Sequence, residues 1–114
     1  MITCFDIGGT TIKAATATGP DALVALGRVP TPRDDFDAFA AAIAGLFEQG
    51  GAPTGSPISI SVTGVVDPET GLTTVANIPC IDGRNLAGDL GARLGCQVLV
   101  ANDADCFALA EAFA

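Results

Sequence analysis

Histidine is absent from this sequence of 114 residues, and basic residues are few. Without histidine, these residues cannot form a Ser-His-Asp triad, a HExxH zinc site or an imidazole base. Only 5 Lys and Arg residues stand against 13 Asp and Glu, which gives a formal net charge of −8. Because nucleic acids and anionic membranes attract cationic surfaces, this charge argues against either of them as a partner.

Long apolar segments are missing as well. Although the mean hydropathy is +0.50, no stretch of about 18 residues lacks both charges and Gly, Pro, Ser or Thr, so no membrane-spanning helix is predicted. The first residues, MITCFDIGG, carry no basic residue before a short apolar run, which argues against a signal peptide. We therefore expect a cytoplasmic protein, and the length allows one domain.

Metal-binding cysteine patterns are also lacking. The four cysteines, Cys4, Cys80, Cys96 and Cys106, lie far apart in the sequence and form no CxxC pair. With no histidine to complete a site, they match no zinc pattern. We expect reduced thiols, most of them buried.

The first 30 residues predict three strands. Apolar segments at 2–7, 11–18 and 22–29 are separated by Gly8-Gly9 and by Gly19-Pro20-Asp21, both of which favour turns. Strands joined by such short turns form an antiparallel meander.

The remainder predicts alternating helices and strands. From Asp34 the apolar spacing is helical as far as Gly50-Gly51. The elements predicted next are a strand at 57–62 and a loop with a small hairpin at 65–84 that includes a strand at Leu72–Val75. A helix from Asn85 to Leu94 follows, with Asn85 as its N-cap and Gly95 as its stop signal. A strand at 97–101 and a helix at 104–114 complete the order. This order predicts an α/β fold of the ribonuclease-H-like, or actin-like ATPase, type, whose mixed sheet is antiparallel at one side and parallel at the other. Because the last helix lacks a stop signal, we expect the 114 residues to be cut off at the boundary of a secondary-structure element.

A glycine pair between the first two strands is the first candidate site. Gly8 and Gly9 would let backbone N–H groups approach an anion, and the hydroxyls of Thr10 and Thr11 would add donors. Asp6, at the end of the preceding strand, could hold Mg²⁺ through water. An ordinary hairpin turn, with glycines that supply positive φ and a solvated acid, fits the same residues equally well.

Polar residues at the ends of two later strands form the other candidates. Asp103, after the strand at 97–101, could accept a proton from a substrate hydroxyl during phosphoryl transfer, but Asn102 and Asp103 would also serve as a helix N-cap. Gly64 ends a buried strand where a backbone could lie against a ligand. Asn77 could bind a hydroxyl or satisfy its own backbone.

Four segments, taken together and in this order, resemble the N-terminal half of the ROK family of sugar kinases: FDIGGTTIKAA, PTPRDD, ISVTGVVDPETGLTTVANIP and NLAGDLGARLGCQVLVANDADCFALAEAF. The resemblance implies an ATP-dependent kinase that phosphorylates the 6-hydroxyl of N-acetylglucosamine or a hexose. A fructokinase or glucokinase of the same family is the alternative, as is the sugar-sensing domain of a ROK-type transcriptional repressor. ATP, Mg²⁺ and a sugar are the implied ligands, and a homodimer is the implied assembly.

The resemblance also implies roles for individual residues. Asp6 would lie near Mg²⁺, and Asp103 would be the base that deprotonates the 6-hydroxyl. The residues implied near the ATP phosphates are Gly8, Gly9, Thr10 and Thr11. The residues implied near the sugar are Gly64, Val65, Asn77, Asn102 and Asp103.

Three departures from the family pattern stand out. Thr11 takes the place of the usual lysine, and the lysine falls at Lys13 instead. Thr63 precedes Gly64 where the family usually has proline, and Asp105 adds a carboxylate close to Asp103. The family's second phosphate loop and its zinc site belong to a C-terminal half that these residues do not include. We therefore expect the 114 residues alone to be inactive as a kinase.

Overall fold

A computed structural model describes residues 1–18, 22–62 and 64–102, the last two through their backbone alone. Its elements are β1 (Ile2–Ile7), β2 (Thr11–Ala17), β3 (Leu23–Pro30), α1 (Phe36–Gln49), β4 (Ile58–Val62), β5 (Val65–Val66), β6 (Thr73–Thr74), α2 (Leu86–Leu94) and β7 (Val98–Asn102). The five long predicted strands and the first two predicted helices are confirmed within one or two residues. The strand expected at Leu72–Val75 is shorter than predicted, and the helix expected at 104–114 lies outside the described residues.

The main sheet has five strands in the order β3-β2-β1-β4-β7. The pairs β1–β2 and β2–β3 are antiparallel, whereas β1–β4 and β4–β7 are parallel. The meander and the mixed sheet are therefore confirmed. The separate hairpin β5–β6 is antiparallel, with Val65 opposite Thr74.

Both helices pack on the same face of this sheet. Because side chains alternate along a strand, one face presents a set of fully or nearly buried apolar residues: Phe5, Ile7, Ile12, Ala14, Ile58, Ile60 and Val62. The helices add Phe39, Ala40, Ile43 and Leu46 from α1, and Leu86 and Leu90 from α2. Three residues of the connection between β6 and α2 complete the core, namely Val75, Ile78 and Ile81.

The helix ends follow local capping chemistry. Asp35 caps α1, its Oδ1 accepting hydrogen bonds from the Asp37 N–H at 2.9 Å and the Ala38 N–H at 3.4 Å. Asn85 caps α2 through the Gly88 N–H at 3.1 Å, and α2 ends at Gly95, which has a φ of 66°. The expectations for Asn85 and Gly95 are thus confirmed.

A charged cluster joins the two helices at the surface. The Arg84 guanidinium lies 3.8 Å from the centre of the Phe36 ring, and that of Arg93 lies 5.5 Å from it. Arg84 also pairs with Asp89 at 3.1 Å, and Arg93 pairs with Asp37. None of the helices in the described part of the chain is long and apolar enough to cross a membrane.

Candidate active site

The carboxyl ends of the three parallel strands meet at one level. Ile7 of β1 pairs in register with Val62 of β4, and Val62 pairs with Asn102 of β7. The segments that follow β1 and β4 therefore begin at the same edge of the sheet at which β7 ends. This is where open parallel sheets bind their ligands. Asp103, the predicted base, comes next in sequence and lies outside the described residues.

Asp6 is the exposed residue of a central strand. The other five residues of β1 are buried. By strand alternation, Asp6 points away from the face that carries Phe5 and Ile7 and receives the helices. Its carboxylate is thus accessible at the carboxyl edge, as the prediction of a metal-facing acid requires.

The glycine turn, residues 8–11, is closed by a hydrogen bond from the Gly8 N–H to the Thr11 carbonyl at 2.9 Å. Neither Gly8 nor Gly9 has a φ in the left-handed region. The interpretation that these glycines supply positive φ is therefore wrong.

The close approach of Asn77 explains why position 9 is a glycine. A Cβ at Gly9 would lie 3.1 Å from the Asn77 Cβ, which is tighter than normal packing allows. The absence of a side chain at Gly9 therefore brings the predicted phosphate turn against the residue predicted to bind sugar.

Donors and acceptors of the glycine turn are used differently. The Gly8 carbonyl accepts the Thr31 hydroxyl at 2.8 Å, and the Thr10 carbonyl accepts the Thr31 N–H at 3.0 Å. Within the described residues, the N–H groups of Gly9 and Thr10 donate to no protein acceptor. The turn thus has two consecutive N–H groups available to an anion.

Thr31 is a site residue that the sequence reasoning missed. It is buried, with 9% of its surface exposed. Pro30 and Pro32 flank it and have no N–H group, so Thr31 is the only backbone donor of this short segment. A polar residue between two prolines, directly after a predicted strand, was the available signal.

The Asn77 loop, residues 75–84, is anchored on both sides of Asn77. Val75 and Ile78 are buried in the core. The Val75 N–H donates to Asp82 Oδ1 at 3.0 Å. Asn77 itself is exposed and, within the described residues, its side chain makes no hydrogen bond. The alternative that Asn77 satisfies its own loop is therefore not what the structure shows.

Close packing at the corner after β4 explains why position 64 is a glycine. A Cβ at Gly64 would lie 2.5 Å from the Thr74 carbonyl oxygen and 2.9 Å from Val75 Cγ2. Val65, the next predicted sugar contact, is 57% exposed and pairs with Thr74. Gly64 is therefore required for β6 to pack against the corner, whatever contact its backbone makes with a ligand.

Comparison with known proteins decides the family. The family model described as "ROK family" matches residues 2–114. The chain belongs to the ROK family. It is 40% identical over 111 residues to N-acetyl-D-glucosamine kinases of Escherichia coli strains. That match covers 96% of this chain and 37% of the length of those curated relatives.

Solved structures of sugar kinases show the same fold. An inorganic polyphosphate/ATP-glucomannokinase from Arthrobacter superposes with a TM-score of 0.77 at 32% identity, covering 97% of this chain and 47% of that one. A putative N-acetylmannosamine kinase from Listeria monocytogenes superposes with a TM-score of 0.75 at 32% identity, covering 96% and 38%. The predicted actin-like ATPase fold is confirmed.

The resemblance to the ROK family leads us to expect a lysine at position 11, and the lysine lies at position 13 instead. Both positions are on the same face of β2. Thr11 and Lys13 are two residues apart on β2, so their side chains share a face, about 7 Å apart along the strand. Lys13 pairs in register with Asp6 on one side and with Arg28 on the other. A cation therefore lies one strand away from Asp6.

Metal ligands are sparse in the described residues of this ROK chain. No group of three or more Cys, Asp or Glu side chains there could hold a metal ion. The exposed carboxylate of Asp6 nevertheless suits Mg²⁺. Mg²⁺ usually keeps several waters and is bound through one or two carboxylates together with substrate phosphates.

Cys80 and Cys96 are half-buried free thiols. Burial raises the pKa of each of them above the usual thiol value.

Proposed function

We propose that this chain is the N-terminal lobe of an ATP-dependent sugar kinase and that it holds the ATP phosphates and the acceptor sugar. The observation that carries the proposal is that the N–H groups of Gly9 and Thr10 donate to no acceptor among the described residues. They lie at the carboxyl edge of the sheet, next to exposed Asn77 and close in sequence to exposed Asp6. Two free donors beside an accessible carboxylate suit a phosphate that carries Mg²⁺.

The nucleotide side of the proposed site consists of the glycine turn and Asp6. The N–H groups of Gly9 and Thr10 and the hydroxyls of Thr10 and Thr11 would donate to phosphate oxygens, in place of the lysine that the family usually carries. Asp6 would hold Mg²⁺ through water. Mg²⁺ bound with ATP neutralises part of the phosphate charge. We place any zinc site outside these 114 residues.

The sugar side of the proposed site lies on neighbouring strand ends. Asn77 and Asn102 would bind sugar hydroxyls, and Gly64 and Val65 would contribute backbone contacts. Asp103 would accept the proton of the sugar 6-hydroxyl while that oxygen forms its bond to the γ-phosphorus and the bond to the leaving β-phosphate oxygen breaks. Proton loss and bond formation would then occur at the same oxygen atom.

The substrate class is proposed from the relatives. The curated relatives at 40% identity act on N-acetyl-D-glucosamine, and the solved glucomannokinase is 32% identical. We therefore propose N-acetylglucosamine first and a hexose second. From the family resemblance we also propose a homodimeric, cytoplasmic enzyme. A fructokinase would turn over fructose and a glucokinase would turn over glucose. The sugar-sensing domain of a repressor would turn over no sugar.

The direct test is a panel of sugars assayed with ATP and Mg²⁺ and the full-length protein that carries this sequence. We expect ADP release with N-acetylglucosamine or a hexose, and ³¹P NMR should show a 6-phosphate. Saturable sugar binding without turnover of any sugar would contradict the kinase and favour the repressor alternative. We expect the 114 residues alone to give no turnover, and hexose phosphorylation by them would contradict the single-lobe assignment.

A substitution at Asp103 tests the proposed base. Asp103→Asn keeps the shape of the side chain but removes its basicity, so kcat should fall by about 10²–10⁴ while sugar affinity stays nearly unchanged. Calorimetric sugar binding and steady-state kinetics measure the two effects. Asp105→Asn makes the same chemical change two residues away, and we expect it to leave kcat within about threefold. A normal kcat in Asp103→Asn would support the helix-cap alternative.

A further inference from the structure

Building on the proposed kinase, we infer that Thr31 is a positioning residue that couples the glycine turn to the Asn77 loop. Three segments that are distant in the sequence contact one another in a closed cycle: the glycine turn, a bridge segment at residues 31–33, and the Asn77 loop. Thr31 supplies the contact between the first two segments. In the proposed site the Thr31 hydroxyl, which donates to the Gly8 carbonyl, would act through the glycine turn and not directly on a reactant.

The first step of the argument concerns the acceptors of the glycine turn. A carbonyl oxygen near a phosphate repels it, whereas an N–H group attracts it. Thr31 uses both of its hydrogen-bond donors on such carbonyls: its hydroxyl donates to the Gly8 oxygen at 2.8 Å and its N–H donates to the Thr10 oxygen at 3.0 Å. The N–H groups of Gly9 and Thr10 stay free within the described residues. Thr31 therefore engages acceptors of the turn and leaves its donors available.

The second step follows the bridge segment to the Asn77 loop. The Cys80 N–H donates to the Arg33 carbonyl at 2.9 Å, and the Cys80 thiol donates to the Pro32 carbonyl at 3.4 Å. The bridge segment is thus bonded to the glycine turn at one end and to the Asn77 loop at the other.

The third step closes the cycle. Gly9 lies against Asn77, where a Cβ at Gly9 would approach the Asn77 Cβ to 3.1 Å. A shift of the bridge segment would therefore move the phosphate-binding and sugar-binding sides relative to each other. Reactions between two bound groups are sensitive to such shifts, since a misplacement of about 1 Å can cost about 100-fold in rate.

Thiol alkylation tests the coupling without relying on kinase activity. Thr31→Val removes the hydroxyl bond to Gly8 but keeps the shape and the N–H group. In the full-length protein, iodoacetamide should alkylate Cys80 at least about threefold faster in this variant, because local opening of the bridge segment exposes the thiol. Cys96, resolved in the same experiment by peptide mass spectrometry, should react at the wild-type rate.

Kinetics test the positioning role. Thr31→Val should lower kcat about tenfold and raise the KM for ATP, the size of effect expected for one lost hydrogen bond. Thr31→Ser, which keeps the hydroxyl, should restore both values. In a double-mutant cycle, Thr31→Val and Asn77→Ala should together reduce kcat/KM by less than the product of their separate effects.

Thr3→Val is the matched control, since Thr3, on β1, is also a buried threonine, but among the described residues its hydroxyl has no hydrogen-bond partner. We expect it to leave kinetics and alkylation unchanged.

Two results would overturn the inference. One is a Thr31→Val protein with wild-type Cys80 alkylation and wild-type kcat. The other is multiplicative behaviour in the cycle with Asn77→Ala. Should the valine variant not fold, Thr31→Ala removes the same hydroxyl without added bulk and is judged by the same readouts. If the wild-type protein phosphorylates no sugar, the proposed function fails, whereas the coupling is still decided by the alkylation rates.

Discussion

Two hairpin turns of this chain are supported in different ways. The turn between β5 and β6 is held by its own residues. Asp67 Oδ1 accepts the Glu69 N–H at 2.8 Å, the Asp67 carbonyl accepts the Gly71 N–H at 2.8 Å, and the Asp67 N–H donates to the Leu72 carbonyl at 3.0 Å. Gly71 has a φ of 75°, the left-handed conformation that glycine adopts without strain.

The glycine turn between β1 and β2 takes much of its support from distant segments. Beyond its closing bond at Gly8, it is held by Thr31 and lies against Asn77. Neither of its glycines has a left-handed φ. A turn held from outside can leave its own N–H groups free for a ligand, whereas a turn that bonds its own N–H groups cannot. We infer that this difference separates the binding turn from the structural one.

The largest expected effect that sharpens this comparison is that of Gly9→Ala. The added Cβ would press on Asn77, which is exposed and can yield by a few tenths of an ångström, so stability should change little. Movement of Asn77 away from the glycine turn would separate the sugar-binding and phosphate-binding sides of the proposed site. We therefore expect kcat to fall about 100-fold. Steady-state kinetics and thermal unfolding of the full-length protein measure the two effects.

A Gly9→Ala variant that unfolds at a much lower temperature but retains normal kcat would break the comparison. It would show that Gly9 serves packing alone.

Gly71→Ala should behave in the opposite way. Alanine is strained at a φ of 75°, and its Cβ would lie 3.2 Å from Asn85 Oδ1, the cap of α2. Left-handed strain and a disturbed cap together should cost about 1–3 kcal/mol of unfolding free energy. Because this turn takes no part in the proposed site, kcat/KM should stay at the wild-type value. Chemical denaturation and steady-state kinetics measure the two effects, with Gly9→Ala analysed in parallel. A loss of kcat without a loss of stability in Gly71→Ala would refute the structural role of this turn.

The smallest expected effect concerns pH. Burial raises the pKa of Cys80, beside the bridge segment, and of Cys96, after α2. Since the unfolded thiols lose their protons at a lower pH than the folded ones, the stability that comes from burying neutral thiols is complete below the unfolded pKa. It declines as the pH rises through the folded pKa.

Alkylation rates measured against pH should therefore give midpoints above the usual pKa of a cysteine thiol at both positions. If the midpoint of Cys80 lay at the usual thiol pKa while that of Cys96 stayed above it, the region that supports the glycine turn would be open to solvent. An unfolded reference peptide supplies the control.

Much of the fold could be predicted from local patterns. The spacing of apolar residues located the five long strands, and Asn85 and Gly95 marked the ends of α2 because capping depends on residues within one turn of the helix. The parallel pairing of β1 with β4 followed from the helix between them. The strand at 73–74 was harder to delimit, since pairing with Val65–Val66 alone sets its length.

The candidate site was only partly predictable. Asp6, Gly9 and Asn77 were found from residue type and position, whereas the alternative that the glycines supply positive φ was wrong. The close approach of Gly9 to Asn77 was not foreseen, because a contact between two distant segments leaves no local mark in the sequence. Thr31 was missed for the same reason, as its partners are Gly8 and Thr10, more than twenty residues away.

By itself, the sequence determined the strands, the helices, the order of the chain and the residue types available for phosphate and sugar chemistry, because these depend on periodicity and on neighbours a few positions apart. Tertiary structure alone decided which of the two glycine-containing turns has two consecutive N–H groups that donate to no acceptor among the described residues. That choice rests on Thr31 and Asn77, which the fold of the whole sheet brings to the glycine turn from distant parts of the chain. Hydrogen bonds between distant segments require the fold to bring those segments together, at a cost in loop-closure entropy, so no local pattern encodes them.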